Sequence, residues 1–511
     1  MSAPVPLPRA SLTSRQVDPR GIAAFLDAVE ADGIELHSLM LYRGGAVVAE
    51  AFWKPYAADI PHMMHSATKS WVACAVGLLI DDGKLALDDR VIDFFPEDLP
   101  ATVSDNLAAM TVRDLLTMQS GHRTGLSGGE WRGMTESWTR AFFCEPVEDV
   151  PGRTFIYSSG CSYILSAIVT KRTGRLAADL IAERIGRPLG MGPLPWDVSP
   201  EGVSTGGNGL SCTTEDFLKL GVLHLQKGRW NGQQILSEAW VRDATRGQVA
   251  EVWMGSFDGR RYGARDPSGP KPEERREGYG YQWWMSPHGA FHASGLFGQQ
   301  CIVMPEQDAV LAYTAALAKR DPRLTAHVWA HLFPALGTVA AASEAEAALA
   351  KRLGGLHLAD PDGAVQGPLA AELSGRTYVM APNADNVARI GFTFGPTEGR
   401  FTLEDHRGTH IVAFGLGHGL AGETTVTGHY LHHEYEPGQM RVVASGVWTD
   451  PKTFRMTWRF VETAFADTVV CRFDGDGVVM ERSVNTNSSA LSRPPISGTA
   501  AAEMLTPAKG G

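Results

Sequence analysis

His65-Ser66-Ala67-Thr68-Lys69-Ser70 sets a hydroxyl and an amine three residues apart. On a helix, residues i and i+3 share a face, so the Lys69 amine can reach the Ser66 oxygen. A serine hydroxyl is a weak nucleophile until a neighbouring base takes its proton. The residues that follow, Trp71 to Val76 and then Leu78, Leu79 and Ile80, are apolar nearly all round, the pattern of a buried helix. Burial lowers an amine's pKa toward the range of a useful base. The helix N-terminus adds N–H groups that favour a developing oxyanion. A capping serine followed by a solvent-reaching lysine would give the same spacing without chemistry, so the pair needs partners.

Two further segments offer them. Pro151-Gly152-Arg153-Thr154-Phe155-Ile156-Tyr157-Ser158-Ser159-Gly160 puts Tyr157 in a turn ahead of a helix, where a phenol can relay a proton. Phe291-His292-Ala293-Ser294-Gly295-Leu296-Phe297-Gly298-Gln299 reads as an edge strand of small residues. A substrate can lie along such an edge and receive a second oxyanion N–H from it. Alone, the first would be a packing tyrosine and the second a glycine bend at a sheet edge.

The elements that must position these residues alternate helix and strand from about residue 20 to 335. GIAAFLDAVEADG is an amphipathic helix, and LHSLMLYRGGAVVAEAFW is two strands turning at Arg43-Gly44-Gly45. The long apolar helix ends at Gly83, a plausible cap. TVRDLLTM, YILSAIVTKRTG and TEDFLKLGVLHLQKG are further helices, and QQCIVMPEQDAVLAYTAA is a strand pair turning at 305–308. Strands at both ends with helices between predict one α+β unit over 1–340 whose sheet unites distant parts of the chain. Residues 341–365 read as a helix and linker. Residues 366–486 read as a separate all-β domain, sandwich or barrel, from short strands with glycine-rich turns, and 487–511 as a mobile tail.

Taken together and in this order, the three segments resemble the serine β-lactamase and penicillin-binding protein superfamily. The branch is the class C-like one of esterases, D-aminopeptidases and nylon-oligomer hydrolases. DDGKLALDDRVIDFFPE, TVRDLLTMQSGH, GGNGLSCTTEDFLKLG, GYGYQWW and FGQQCIVMPEQ support the likeness, which covers roughly residues 30 to 335. It implies an antiparallel-type sheet flanked by helices, an all-helical subdomain, and a site between them. It would make Ser66 the acylated nucleophile, Lys69 and Tyr157 the proton-transfer pair, and the Ser66 N–H one oxyanion donor. Ser159, His292, Ser294 and Gly295 would lie on the substrate or oxyanion side.

Two departures bear on substrate. Ser159 stands where the tyrosine motif usually ends in asparagine, offering a short hydroxyl in place of an amide. No Lys-Thr-Gly occurs; either His292-Ala293-Ser294 or Ala293-Ser294-Gly295 holds that place. Without that lysine a substrate carboxylate loses its usual partner, which moves the expectation from penicillins to a neutral ester or amide. The expected activity is cleavage of a small ester or amide through an acyl-enzyme on Ser66, with no cofactor and no metal. The alternatives are a β-lactamase or D-amino-acid peptidase on cell-wall-like substrates, and a non-catalytic binding protein that keeps the fold.

The remaining signals narrow the class. A net charge of −11 argues against a nucleic-acid binder. No stretch approaches the ~20 apolar residues of a membrane span, and the first residues lack the apolar run of a signal peptide, so a cytoplasmic protein without membrane partners is expected. The six cysteines lack metal-like spacing and read as free thiols. Gly125-Leu126-Ser127-Gly128-Gly129 matches a nucleophile elbow, but a helix and turn precede it and a glycine-rich loop is expected after it, where the elbow needs strand then helix. Ser104-Asp105-Asn106 reads as a loop and helix cap. His429, His432, His433 and Glu434 lack a metal motif and read as solvated strand residues. Trp283 and Trp284 are candidates for an apolar pocket wall or for core.

Overall fold

In a computed structural model the chain folds as two compact units, Met1–His357 and Leu358–Gly511. The structure describes residues 3–501 apart from 127, 251, 254, 256–260, 264–274, 319–320 and 339–342.

The first unit is built on a six-stranded antiparallel sheet. Its strands are β1 (Glu35–Arg43), β2 (Ala46–Phe52), β3 (Trp284–Met285), β4 (Phe291–Ser294), β5 (Gln300–Met304) and β6 (Ala309–Ala316), in the order β3-β4-β5-β6-β1-β2. The first hairpin turns at Gly44 and Gly45, whose φ values of 55° and 93° suit a residue without a Cβ. The second turns through Pro305–Gln307 and Asp308. β1 and β6, from opposite ends of the unit, pair along nearly their whole length. Both are buried on both faces, so neither shows the apolar–polar alternation of a half-exposed strand.

Helix α1 (Pro19–Ala31) starts on an Asp18 cap that accepts from the Arg20 N–H. Helix α2 (Thr68–Asp81) buries every residue through Leu79, because its sequence gives it no polar face to turn outward. It packs against α3 (Ser159–Thr173), which ends on Gly174 in the left-handed conformation. Helix α4 (Thr214–Leu225) covers the sheet at β5 and β6. The regular structure between α2 and α4 is nearly all helix, with short helices at Asp105–Ala109, Val112–Leu116, Gly128–Arg132, Trp138–Cys144 and Ala177–Ile181. Ser104 caps the first of these, accepting from the Leu107 N–H, as its sequence predicts.

The second unit is a ten-stranded sheet closed into a barrel. Its strands are β7 (Thr377–Met380), β8 (Arg389–Phe394), β9 (Glu398–Asp405), β10 (Gly408–Leu416), β11 (Leu420–Thr424), β12 (Met440–Asp450), β13 (Thr453–Phe460), β14 (Ala466–Asp474), β15 (Gly477–Val484) and β16 (Ile496–Ala500). The order is β10-β9-β8-β7-β16-β15-β14-β13-β12-β11, and a β10–β12 pairing closes it. Phe392, Phe401, Phe414, Trp448, Phe454, Trp458 and Phe473 are buried inside it, touching ring to ring.

Three expectations need correction here. The segment from 487 to 500 is not a tail: β16 pairs with β7 and β15, and Asn487 is buried with its amide bonded to the Tyr430 and Ala490 carbonyls. Pro494 and Pro495 mark a turn before a strand rather than the end of order; residues 502–511 lie outside the described residues. His432 lies on a short turn, Tyr430–His432, and not on a strand. It is wholly buried, bonded to Asp467 at 2.7 Å and stacked flat on Phe465, while no group able to hold a metal appears among the described residues. Finally, helix Gly128–Arg132 begins within the Gly125–Gly129 segment and runs on where a loop was expected, and a two-residue strand, Thr124–Gly125, enters it. Among the described residues that strand pairs with Tyr262–Gly263 alone, apart from the main sheet; Ser127 itself lies outside them.

All six cysteines are free, Cys144 exposed and the other five buried. No described helix is long and apolar enough to cross a membrane.

Candidate active site

Ser66 sits in a single 3-10 turn, His65–Ala67, that feeds directly into α2. His65 holds a φ of 45°, a conformation costly for a residue with a Cβ and one that persists where surrounding structure enforces it. Its ring is pinned edge-on against Phe297. The strained turn leaves Ser66 half-buried at the head of a wholly buried helix, and the Ser66 N–H has no hydrogen-bond partner among the described residues.

Lys69 lies one turn on and is 2% exposed. Its Nζ is 2.7 Å from the Gly207 carbonyl, 3.1 Å from Ser159 Oγ and 3.3 Å from Ser66 Oγ. Burial pushes its pKa down from 10.5 to about 7, the neighbouring Cys161 thiol opposing weakly. A carbonyl only accepts, so one N–H must point at Gly207. With its second N–H directed to Ser159, the neutral amine has its lone pair left on the side of Ser66. The arrangement can therefore take the Ser66 proton.

Tyr157 stands half-buried just before α3, its ring facing Lys69 Nζ at 4.9 Å from the centroid. Trp284 and Tyr262 flank it at 5.4 and 5.5 Å between ring centroids. Ser159 is the first residue of α3. Its N–H donates to the Leu126 carbonyl at 2.7 Å, so its hydroxyl is fixed on the lysine side of the site. The missing asparagine is thus met by a shorter side chain bonded to the amine.

The third segment forms β4 and the turn after it. His292 is buried, its Nδ1 2.7 Å from Ser286 Oγ, and it pairs across to Trp284. Ser294 and Gly295 are half-buried at the strand end. A Cβ on Gly295 would lie 2.5 Å from the Met64 carbonyl and equally close to Gln299 Oε1. The absent side chain is what lets this strand end lie against the turn carrying Ser66. Between the two frames open in the sequence, Ala293-Ser294-Gly295 is the one that borders Ser66. Leu296, next along, has an N–H without a hydrogen-bond partner among the described residues.

Sequence reasoning missed three contributors. Gly207 supplies the Lys69 acceptor, and a Cβ there would sit 2.5 Å from Ser159 Cβ. Gln282, at a φ of 62°, takes a hydrogen bond from Ser70 on its carbonyl and from Ser162 on its side chain, tying α2 to α3. Tyr262 completes the aromatic wall, with Trp284; Trp283 is fully buried in the core. The paired glycines at 206–207 were the signal available for the first; the others have none.

The model of the family described as Beta-lactamase matches residues 23–333 of this chain. The chain is 23% identical over 302 residues to a 6-aminohexanoate-dimer hydrolase of Paenarthrobacter ureafaciens, covering 56% of this chain and 74% of that protein. It is 28% identical over 207 residues to Esterase EstB of Burkholderia gladioli, covering 35% of this chain and 53% of that one. Among solved structures, a putative beta-lactamase from Bacteroides dorei superposes with a TM-score of 0.50 at 18% identity, over 62% of this chain and 99% of that chain, a likeness of fold alone.

Proposed function

This chain belongs to the Beta-lactamase family and is a hydrolase of that family; from that premise we propose that it cleaves a small ester or amide through an acyl-enzyme on Ser66. The observation that carries the reading is the buried Lys69 amine, 3.3 Å from Ser66 Oγ and with a pKa near 7.

Lys69 in its neutral form takes the Ser66 proton as Oγ attacks the substrate carbonyl. The C–O π pair moves onto oxygen, and the Ser66 and Leu296 N–H groups hold the oxyanion. Neither N–H has a hydrogen-bond partner among the described residues. Collapse of the tetrahedral adduct expels the alcohol or amine, which leaves with the proton held by Lys69, relayed by Tyr157. Water, deprotonated by the same pair, then attacks the acyl-enzyme and regenerates Ser66.

Support for a neutral substrate comes from what lies around the serine: aromatic rings at 157, 262 and 284, and Ala293 where a carboxylate-binding lysine would stand. One similar protein is named an esterase and another a 6-aminohexanoate-dimer hydrolase. The test is turnover of p-nitrophenyl acetate and butyrate by wild type and Ser66→Ala. Loss of all but background in the variant is expected, and retained turnover would overturn the reading. Nitrocefin, assayed alongside, should be a poor substrate.

A further inference from the structure

Consecutive barrel strands run antiparallel, so the loops β7–β8, β9–β10, β11–β12 and β15–β16 all leave the barrel at one end. Residues of these loops and the adjoining strand ends enclose a cavity of about 260 Å³. Small-molecule sites begin at ~300 Å³ and favour the mouths of β-barrels, so the space suits one ring-sized molecule. Each arginine and each carboxylate on its wall already has a counter-charge. Arg482 is bonded to Asp467 at 2.7 Å and Arg493 to Asp385 at 2.7 Å. Arg407 pairs with Asp405 at 2.9 Å and with Glu436 at 3.1 Å.

Charge is balanced there, but hydrogen-bonding capacity is left over. Arg482 and Arg493 grip their carboxylates through Nε and Nη2. The Nη1 of each has no hydrogen-bond partner among the described residues, and neither does Asp385 Oδ2 or the Tyr430 hydroxyl. These groups are also held in place. The Arg482 guanidinium lies over the Trp458 ring at 5.4 Å from its centroid, and that of Arg493 over the Tyr430 ring at 4.7 Å. In the β11–β12 loop His429, His433 and Glu434 hold φ values of 38°, 53° and 58°. Side-chain-bearing residues keep such angles only where surrounding structure imposes them. Groups ordered in advance lose little freedom when a ligand arrives.

The wall selects a ligand class. An anion or a cation finds no unmatched charge on it, whereas a ligand that both donates and accepts meets spare N–H groups and a spare carboxylate oxygen on one small surface. A hydroxyl does both, and a sugar ring carries several hydroxyls beside an apolar C–H face. Tyr430, still 46% exposed, offers an aromatic surface to that face. We propose that this cavity binds an uncharged polyhydroxyl ligand, a single sugar ring, with Arg482, Arg493 and Asp385 on its hydroxyls and Tyr430 against its C–H face. The barrel is thereby a sugar-recognition module carried on a hydrolase chain, and the site uses none of the residues around Ser66.

The test titrates the full-length protein with glucose, galactose, mannose and N-acetylglucosamine, followed by saturation-transfer NMR and calorimetry, with glycine and acetate as charged controls. At least one sugar should bind once per chain with a Kd of about 1 mM or tighter. Tyr430→Ala, at an exposed position, should weaken that binding tenfold or more without moving the melting temperature. If that variant melts early, Asp385→Asn decides instead: it keeps the shape, turns the spare acceptor into a donor, and should weaken binding threefold or more. Absence of binding by all four sugars would overturn the proposal. So would binding undiminished in the deciding variant, which would place the sugar elsewhere, or glycine or acetate binding more tightly than every sugar.

Discussion

Lys69 has three acceptors within reach and, near neutral pH, two or three protons to give them. Below a pH of about 7 it is an ammonium, bonded to Gly207, Ser159 and Ser66 at once, and cannot take a proton. Above it the neutral amine keeps a lone pair for Ser66. The rate constant kcat/KM for a neutral ester should therefore rise about tenfold per unit below pH 7 and level off above it; a flat profile across pH 6 to 8 would exclude Lys69 as base. Ser159→Ala deletes an acceptor that the ammonium needs more than the amine does. The limb should move to lower pH while kcat falls roughly ten- to a hundredfold, a combination that loss of packing alone would not produce. Ser66, Lys69 and Tyr157 were legible as residues because spacing and burial are both written in the sequence. The partner of Ser159 was not, since a hydroxyl at a helix start says nothing of which way it points.

Short elements hold these groups through backbone contacts that leave no side-chain signature. Gly295 lets the end of β4 touch the Met64 carbonyl, and Gly207 lets its own segment pass against α3. Gly295→Ala should cut kcat at least tenfold and also lower the melting temperature, because its Cβ would overlap the buried Met64 carbonyl and Gln299 side chain and push the Leu296 N–H away from Ser66. Near-wild-type turnover in that variant would mean that this strand end takes no part. The elements that sequence pattern recovered were those with a clear period or a hard stop: α2, the β1–β2 hairpin on its two glycines, and α3 ending at Gly174. Those it missed were short strands with few apolar residues. Leu420–Thr424 has one strongly apolar side chain, and Ile496–Ala500 follows two prolines; each exists because neighbouring strands offer it a ladder, which is information held elsewhere in the chain.

At the scale of the whole chain, each unit carries its own core, the barrel's being a stack of aromatic rings. Its buried charge is concentrated at Asp467, which is wholly inaccessible. Burial alone would raise that carboxyl, but Arg482 and His432, both bonded to it, hold it below the ordinary range. A lowered carboxyl stabilises the fold above its unfolded pKa of about 4 and ceases to do so as pH falls through the folded value. Asp467→Asn at pH 7 leaves the mostly covered Arg482 without its counter-charge and should cost the barrel about 3 kcal/mol. Calorimetry of a chain with two cores should show two transitions, only one of which moves in this variant. A single transition shifting as a whole would contradict independent cores. The barrel's β character was legible in its glycine-punctuated strands; its closure was not, because it depends on β10 meeting β12, a pairing no local pattern encodes.

The central claim concerns one oxygen atom. Incubating the intact protein with a fluorophosphonate and mapping the modified peptide by mass spectrometry tests it most directly. One adduct per chain, on Ser66 and absent from Ser66→Ala, is predicted. Label on Ser127, or label undiminished in Ser66→Ala, would contradict it.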